Sequence, residues 1–223
     1  MEQEMSNPPP DASLAFAGNE IIFLAGDRAC LWRVVEGAVR LDRASGPTRQ
    51  PVQLALPGDL IGTEALCGRS YQFSASAFTH CRLQALPAES EAARATLLQQ
   101  ALLQNLGRSQ DMTLLRTGSV LQRLSHLLSL LGLEHAARKA GLDGRADAVR
   151  QALPTLREMA LLIDAKTETV CRALAQLLPP RSRKSGPARH TPPDWTPAVA
   201  GRPVSGRVVP GWAANSGPVG VAA

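Results

Sequence analysis

The chain has 223 residues, 44% of them apolar, and its 24 Lys and Arg against 19 Asp and Glu give a formal net charge of +5. That is enough chain for one large domain or two small ones with ordinary cores. No stretch reaches the roughly eighteen apolar residues that would span a bilayer, and Met1 to Asp11 is acidic and Pro-rich, so neither a membrane span nor a secretory leader is indicated and a cytoplasmic location is expected.

The positive excess is unevenly placed. From Pro179 onward six Lys or Arg face one Asp, which leaves eighteen residues of each sign before it. Contact of the folded part with a polyanion must therefore come from local patches. Cys30, Cys67, Cys81 and Cys171 form no Cys-x-x-Cys pair, so neither a disulfide framework nor a metal site is expected. They read as buried, reduced thiols, with redox sensing at Cys67 or Cys81 the alternative.

From Gly18 to Leu86, apolar runs at Glu20–Leu24, Cys30–Val35, Ala38–Asp42, Val52–Leu56, Phe73–Phe78 and Arg82–Leu86 alternate with turn signals such as Ala25-Gly26-Asp27, Glu36-Gly37 and Pro57-Gly58-Asp59. This spacing predicts an all-β barrel or roll. Ala88 to Arg116 holds no proline and one glycine and predicts one long helix. Along it Leu98, Leu102, Asn105, Ser109 and Met112 alternate spacings of four and three, a seam suited to a parallel homodimer; packing of the same stripe on the β domain is the alternative.

Thr117-Gly118-Ser119 predicts a hinge, with Ser119 as the N-cap of the next helix. Val120, Leu121, Leu124, Leu127, Leu128 and Leu131 then form an amphipathic pattern that ends near Gly132. Glu134 to Gln151 reads as mixed helix and loop. Thr155 and Glu158 have capping-box spacing and open a short helix, which turns at Asp164, a residue type that tolerates left-handed backbone.

A second short helix follows, with Val170, Ala173, Leu174 and Leu177 on one side and Glu168, Thr169, Arg172 and Gln176 on the other. An apolar docking face opposite a polar face is what a recognition helix needs in a DNA major groove. It is equally what any solvated amphipathic pair displays. From Pro179 the composition predicts a disordered tail.

Glu168-Thr169-Val170-x-Arg172-x-Leu174, preceded by Leu156-Arg157-Glu158-Met159-Ala160, resembles the helix-turn-helix of the Crp/Fnr family of bacterial transcriptional regulators. Upstream, the turn at Gly37, the stretch Leu56-Pro57-Gly58-Asp59-Leu60-Ile61-Gly62, the long helix and the hinge are similar in order. The resemblance covers residues 18 to 178 and implies an α+β chain. Its parts would be a flexible N-terminus over 1–17, a jelly-roll-like β-roll sensor over 18–88 and a dimerisation helix over 89–117. A winged helix-turn-helix over 118–178 and a basic tail over 179–223 would follow.

The resemblance also implies a homodimer that binds double-stranded DNA and meets RNA polymerase. Glu168 and Arg172 would read bases, with Lys166, Thr167, Thr169 and Gln176 around them. Several positions depart from the family pattern. Lys166-Thr167 stands where Ser-Arg is common, Asp164 replaces the turn glycine, and Pro179 to Lys184 stands where the wing belongs.

The effector pocket would lie at Gly62, Thr63, Glu64, Arg69, Ser70, Tyr71 and Gln72. A buried phosphate needs a cationic partner. Tyr71-Gln72 occupies the position of the family's phosphate-holding Arg-Ser, and Arg69-Ser70 lies two residues early. Cyclic AMP is therefore not expected, and a different small effector and a ligand-free scaffold stay open as alternatives; no cofactor is assigned.

His80, His126, His135 and His190 are isolated and no nucleophile-base spacing occurs, which argues against an enzyme. The competing class is an effector-binding or protein-interaction module that has lost specific DNA binding with its wing.

Overall fold

The computed structural model describes residues 13–45, 48–88, 90–133 and 146–178. The expectations for 1–12, for 134–145 and for the tail from 179, including the missing wing, lie outside the described residues.

Eight strands form a roll of two four-stranded antiparallel sheets: β1 (Ser13–Phe16), β2 (Ile21–Phe23), β3 (Trp32–Glu36), β4 (Val39–Ser45), β5 (Thr48–Ala55), β6 (Leu60–Ile61), β7 (Ser74–Ala77) and β8 (Cys81–Ala85). The sheets run β1-β8-β3-β6 and β2-β7-β4-β5. The roll starts earlier than Gly18, because Ser13 to Phe16 pairs antiparallel with Gln84 to Cys81. The interior between the sheets is filled by Phe23, Trp32, Val34, Val39, Leu41, Ile61, Tyr71, Cys81 and Leu83.

Helix α1 (Glu91–Leu114) starts at Ser90, whose side chain accepts from the Ala93 N–H. It lies on the roll through Ala101 and Leu97 against Leu31, Leu60 and Leu66. Gln104 adds a paired contact: it accepts from the Leu60 N–H at 2.7 Å and donates to the Leu60 carbonyl at 2.8 Å. Strand β6 is the edge of its sheet, so the Gln104 amide supplies the hydrogen bonds that a further strand would have made.

The hinge lies where expected. Gly118 has φ +84°, and Ser119 and Gln122 form a reciprocal capping box that starts α2 (Val120–Leu130). Helices α3 (Ala146–Ala152), α4 (Leu156–Leu162) and α5 (Thr167–Leu177) follow. A second core joins Ala38, Leu54, Leu56 and Phe78 of the roll to Met112 and Leu115, to Leu124 and Leu127 of α2, and to Met159, Leu162 and Val170 of α4 and α5. Helices α2, α4 and α5 are thus packed onto the outer face of sheet β2-β7-β4-β5, while α3 packs through Val149 on Leu178.

Among the described residues, no helix is long and apolar enough to cross a membrane. The expectation of four buried thiols is corrected: Cys81 is fully buried and Cys30 half-buried, while Cys67 and Cys171 are exposed. Burial pushes the Cys81 thiol up to about 11, and it raises Cys30 as well. Because the thiolate is the reactive form, a thiol reagent near pH 8 is expected to label Cys67 and Cys171 in the native protein. Cys81 should react only in denaturant, and its labelling at the rate of Cys67 would contradict this core.

Candidate nucleic-acid interface and sensor cavity

Asp164 sits at φ +50° between α4 and α5, so the turn takes the left-handed conformation expected of it. Helix α5 buries Val170 and Ala173 and half-buries Leu174 and Leu177. Glu168, Arg172 and Gln176 are exposed along one outward side of α5, Lys166 and Thr167 are exposed at its start, and Thr169 is half-buried. Cys171 and Ala175 are also exposed and flank Glu168 and Arg172 on the helical wheel. Sequence reading passed over them because neither carries a strong donor or acceptor. Lys166 is the N-cap and makes no side-chain capping bond, since an ammonium has no acceptor. The Thr169 N–H bonds to the Lys166 carbonyl at 3.0 Å, but no side chain caps the start of α5, an arrangement suited to a phosphate.

Three arginines were missed by sequence reading: Arg123 and Arg40 hold this pair of helices, and Arg116 ties the segment before the hinge to the roll. Arg123 of α2 donates to the carbonyls of Ile163 at 2.6 Å and Asp164 at 2.9 Å, which satisfies the C-terminal end of α4. Arg116 beyond α1 donates to the Pro51 carbonyl of β5. Arg40 of β4 is buried beside Asp42 and pairs with it through Nε at 2.8 Å and Nη2 at 2.9 Å, while its Nη1 pairs with Glu158 of α4. The predicted capping box is therefore only half formed: Thr155 accepts from the Glu158 N–H at 3.2 Å, but the Glu158 carboxylate goes to Arg40. The signal available in sequence was the alternation Val39-Arg40-Leu41-Asp42, which puts two opposite charges on the outer face of a strand.

The predicted effector pocket is only partly assembled. Gly62, Thr63 and Glu64 line a cavity of about 80 Å³ together with Phe23, Gln53, Phe73 and Asn105. That is well below the ~300 Å³ at which small-molecule pockets usually begin. Arg69, Ser70 and Gln72 are exposed and stand outside this lining, and the Gln72 N–H donates to Glu64 at 3.0 Å. Tyr71 is buried in the roll, stacked on Phe23 with ring centroids 3.7 Å apart. Its hydroxyl accepts from the Cys30 N–H at 2.8 Å and from Trp32 Nε1 at 3.1 Å, and donates to the Cys30 carbonyl at 3.0 Å. With its hydrogen bonds made inside the protein, the side chain acts as a fixed plug, and burial pushes its phenol above the ordinary value.

Of the predicted seam on α1, Leu98, Leu102, Asn105 and Ser109 are exposed and Met112 is not. Met112 is buried in the chain's own second core and cannot serve a partner without unpacking, and Asn105 lines the roll cavity. The exposed apolar row is instead Leu98, Leu102 and Leu106, at 40%, 63% and 62% exposure, with Leu103 at 62% beside it and Ser109 continuing it. On the opposite side of α1, Arg108 bridges Asp59 at 2.7 Å and Asp111 at 2.7 Å. His126 of α2 lies 3.3 Å from Asp111 at the junction across the hinge.

A two-sheet roll, a long helix with an exposed leucine row and a turn-linked helix pair define a class of protein with a sensor-like roll ahead of a helix-turn-helix. Residues 14–93 match the family described as the cyclic nucleotide-binding domain. The transcriptional regulator LdrP of Thermus thermophilus is 40% identical over 73 residues, 32% of this chain and 37% of LdrP, so little more than a third of that relative is matched. SdrP, a transcriptional regulator of the same organism, is 29% identical over 72% of this chain and 79% of its own length. A CRP-family transcriptional regulator from Thermus thermophilus has a similar structure at 27% identity, with a TM-score of 0.54 over 74% of this chain and 83% of that one. FixK2 of Bradyrhizobium japonicum, at 23% identity and a TM-score of 0.50 over 75% and 84%, shares the fold. In sequence and fold the chain resembles Crp/Fnr-type proteins, and the relatives it matches are transcriptional regulators.

Proposed function

We propose that this protein is a cytoplasmic, non-enzymatic regulator of transcription that binds double-stranded DNA as a homodimer, with α5 as the helix that enters the major groove. The observation that carries this reading is the outward side of α5. Glu168, Arg172 and Gln176 are exposed there, while Val170 and Ala173 anchor the helix from behind. Glu168 can accept from a cytosine amino group and Arg172 can donate to guanine. Lys166, Thr167 and Thr169 sit at the helix start, where backbone phosphates are met. The leucine row of α1 supplies the second subunit, which places two recognition helices on a two-fold symmetric site. With Tyr71 filling the roll and no arginine in its cavity, the protein takes no cyclic nucleotide. Contact with RNA polymerase belongs to the same reading.

The test is selection of bound sequences from a random duplex library, repeated with Arg172→Ala. An enriched palindrome is expected for the parent chain, with its preference weakened in the variant by about 1–3 kcal/mol at the position Arg172 reads. No enrichment by the parent chain, or an unchanged preference in the variant, would remove α5 from this role.

A further inference from the structure

Base recognition by α5 does not by itself set the distance between the two copies of that helix in a dimer. The obvious candidate, the hinge at Thr117-Gly118-Ser119, is a glycine-containing break and by itself imposes no orientation. We infer that Arg40 and Glu158 are positioning residues that fix the helix-turn-helix against the roll and thereby set the half-site spacing the protein accepts; this rests on the DNA-binding reading.

The geometry is specific. Val39 and Leu41 point into the roll interior, whereas Arg40 and Asp42 emerge on the outer face of β4 and are 3% and 2% exposed. A guanidinium presents two usable edges. Asp42 takes the Nε/Nη2 edge, and Nη1 is left for Glu158 of α4. A surface ion pair would hold little, but here Arg40 is buried, and breaking one arm leaves charge in a poorly solvated place.

Glu158 could have satisfied its own helix start through the capping box with Thr155. It is turned outward to the roll instead, so the first turn of α4 is tied to β4. Arg123 holds the other end of α4 at Ile163 and Asp164, and Arg116 ties the segment before the hinge to β5. Helix α4 is thus held at both ends, and α5 follows it through the Asp164 turn. The roll, itself joined to α1 by Gln104 and Leu60, therefore carries the orientation of α5 relative to the dimer helix. Sequence choice then belongs to α5, and spacing choice belongs to β4 and α4.

The experiment uses the full chain with a set of duplexes that carry two copies of the selected half-site, the separation changed one base pair at a time. Two variants are compared with the parent: Glu158→Gln, which keeps shape and leaves the Arg40–Asp42 pair intact, and Arg40→Lys, which keeps charge but cannot fork. The parent is expected to lose about tenfold or more in affinity one base pair from its optimum. Both variants should bind neighbouring separations within about threefold of each other, while base preference within a half-site stays as in the parent. A parent-like spacing profile in both variants would overturn the proposal.

Amide hydrogen exchange reads the tie without DNA, with exchange in 156–162 expected to rise in Glu158→Gln while β4 stays protected. Unchanged exchange there would overturn the tie itself. Faster exchange in Glu158→Gln, together with a parent chain that binds no DNA, would retain the tie but discard its spacing role, and would locate the failure in the DNA-binding reading.

Discussion

Gly62→Ala is expected to destabilise the β-roll by about 3 kcal/mol or more, lowering the melting temperature by around 10 °C. Gly62 opens the short turn over Thr63–Cys67 at φ +71°, a conformation that costs an L-residue about 1 kcal/mol. The larger cost is steric. A Cβ there would stand 2.3 Å from the Cys30 carbonyl oxygen and 2.7 Å from Tyr71 Cε1. Neither neighbour is free to retreat, because Cys30 and Tyr71 are joined by two hydrogen bonds and Tyr71 is stacked on Phe23.

Gly58 provides the control. Its φ is +93°, but a Cβ there meets nothing within 4 Å, so Gly58→Ala should cost only the backbone term of about 1 kcal/mol. Thermal or urea unfolding of both variants measures the difference. Equal midpoints would mean that Tyr71 is not the rigid plug described above.

The double replacement Leu102→Glu and Leu106→Glu is expected to make the protein monomeric and to weaken binding to its palindrome about a hundredfold or more, since the second half-site no longer adds to the first. Leu102 and Leu106 are 63% and 62% exposed in the single chain, so the change removes no intrachain core. Like charges would face each other across a two-fold axis, a repulsion that works against pairing. Sedimentation gives the mass, and titration with whole and half operators gives the affinity. A dimer that survives with full operator affinity would move the subunit contact off this face of α1.

Much of this fold was legible in sequence, for identifiable reasons. Six strands were marked by apolar runs bounded by glycine turns, and the hinge and helix pair by capping residues. Strand β1 escaped because Ser13 to Ala15 is exposed and lies at a sheet edge, so it shows no buried alternation. Strand β6 escaped because it has two residues, too few for any period.

The error at Met112 has a different origin. A strict seven-residue repeat falls behind a straight helix of 3.6 residues per turn by about 20° per heptad. Two heptads from Leu98 are enough to carry the seam off the exposed side of α1 and onto the side that packs in the chain's core. The Arg40–Glu158 pair was out of reach altogether, since it joins a strand to a helix through a fold that no local pattern specifies. The same holds for the surroundings of Tyr71: sequence put a tyrosine where the family has its arginine, but only the structure stacks it on Phe23 and ties its hydroxyl to Cys30 and Trp32.

The amide of Gln104 on Leu60 bears on how this protein can be cut. A sheet edge with unpaired backbone groups is a template for strand addition and aggregation, and in this molecule the group that closes one such edge belongs to the middle of α1 rather than to the roll. A roll isolated by ending the chain soon after β8 would lose that closure and present Leu60 and Ile61 to other molecules. The natural boundary for a well-behaved roll therefore lies beyond Gln104, inside the helix, and the sheet and the helix survive or fail together.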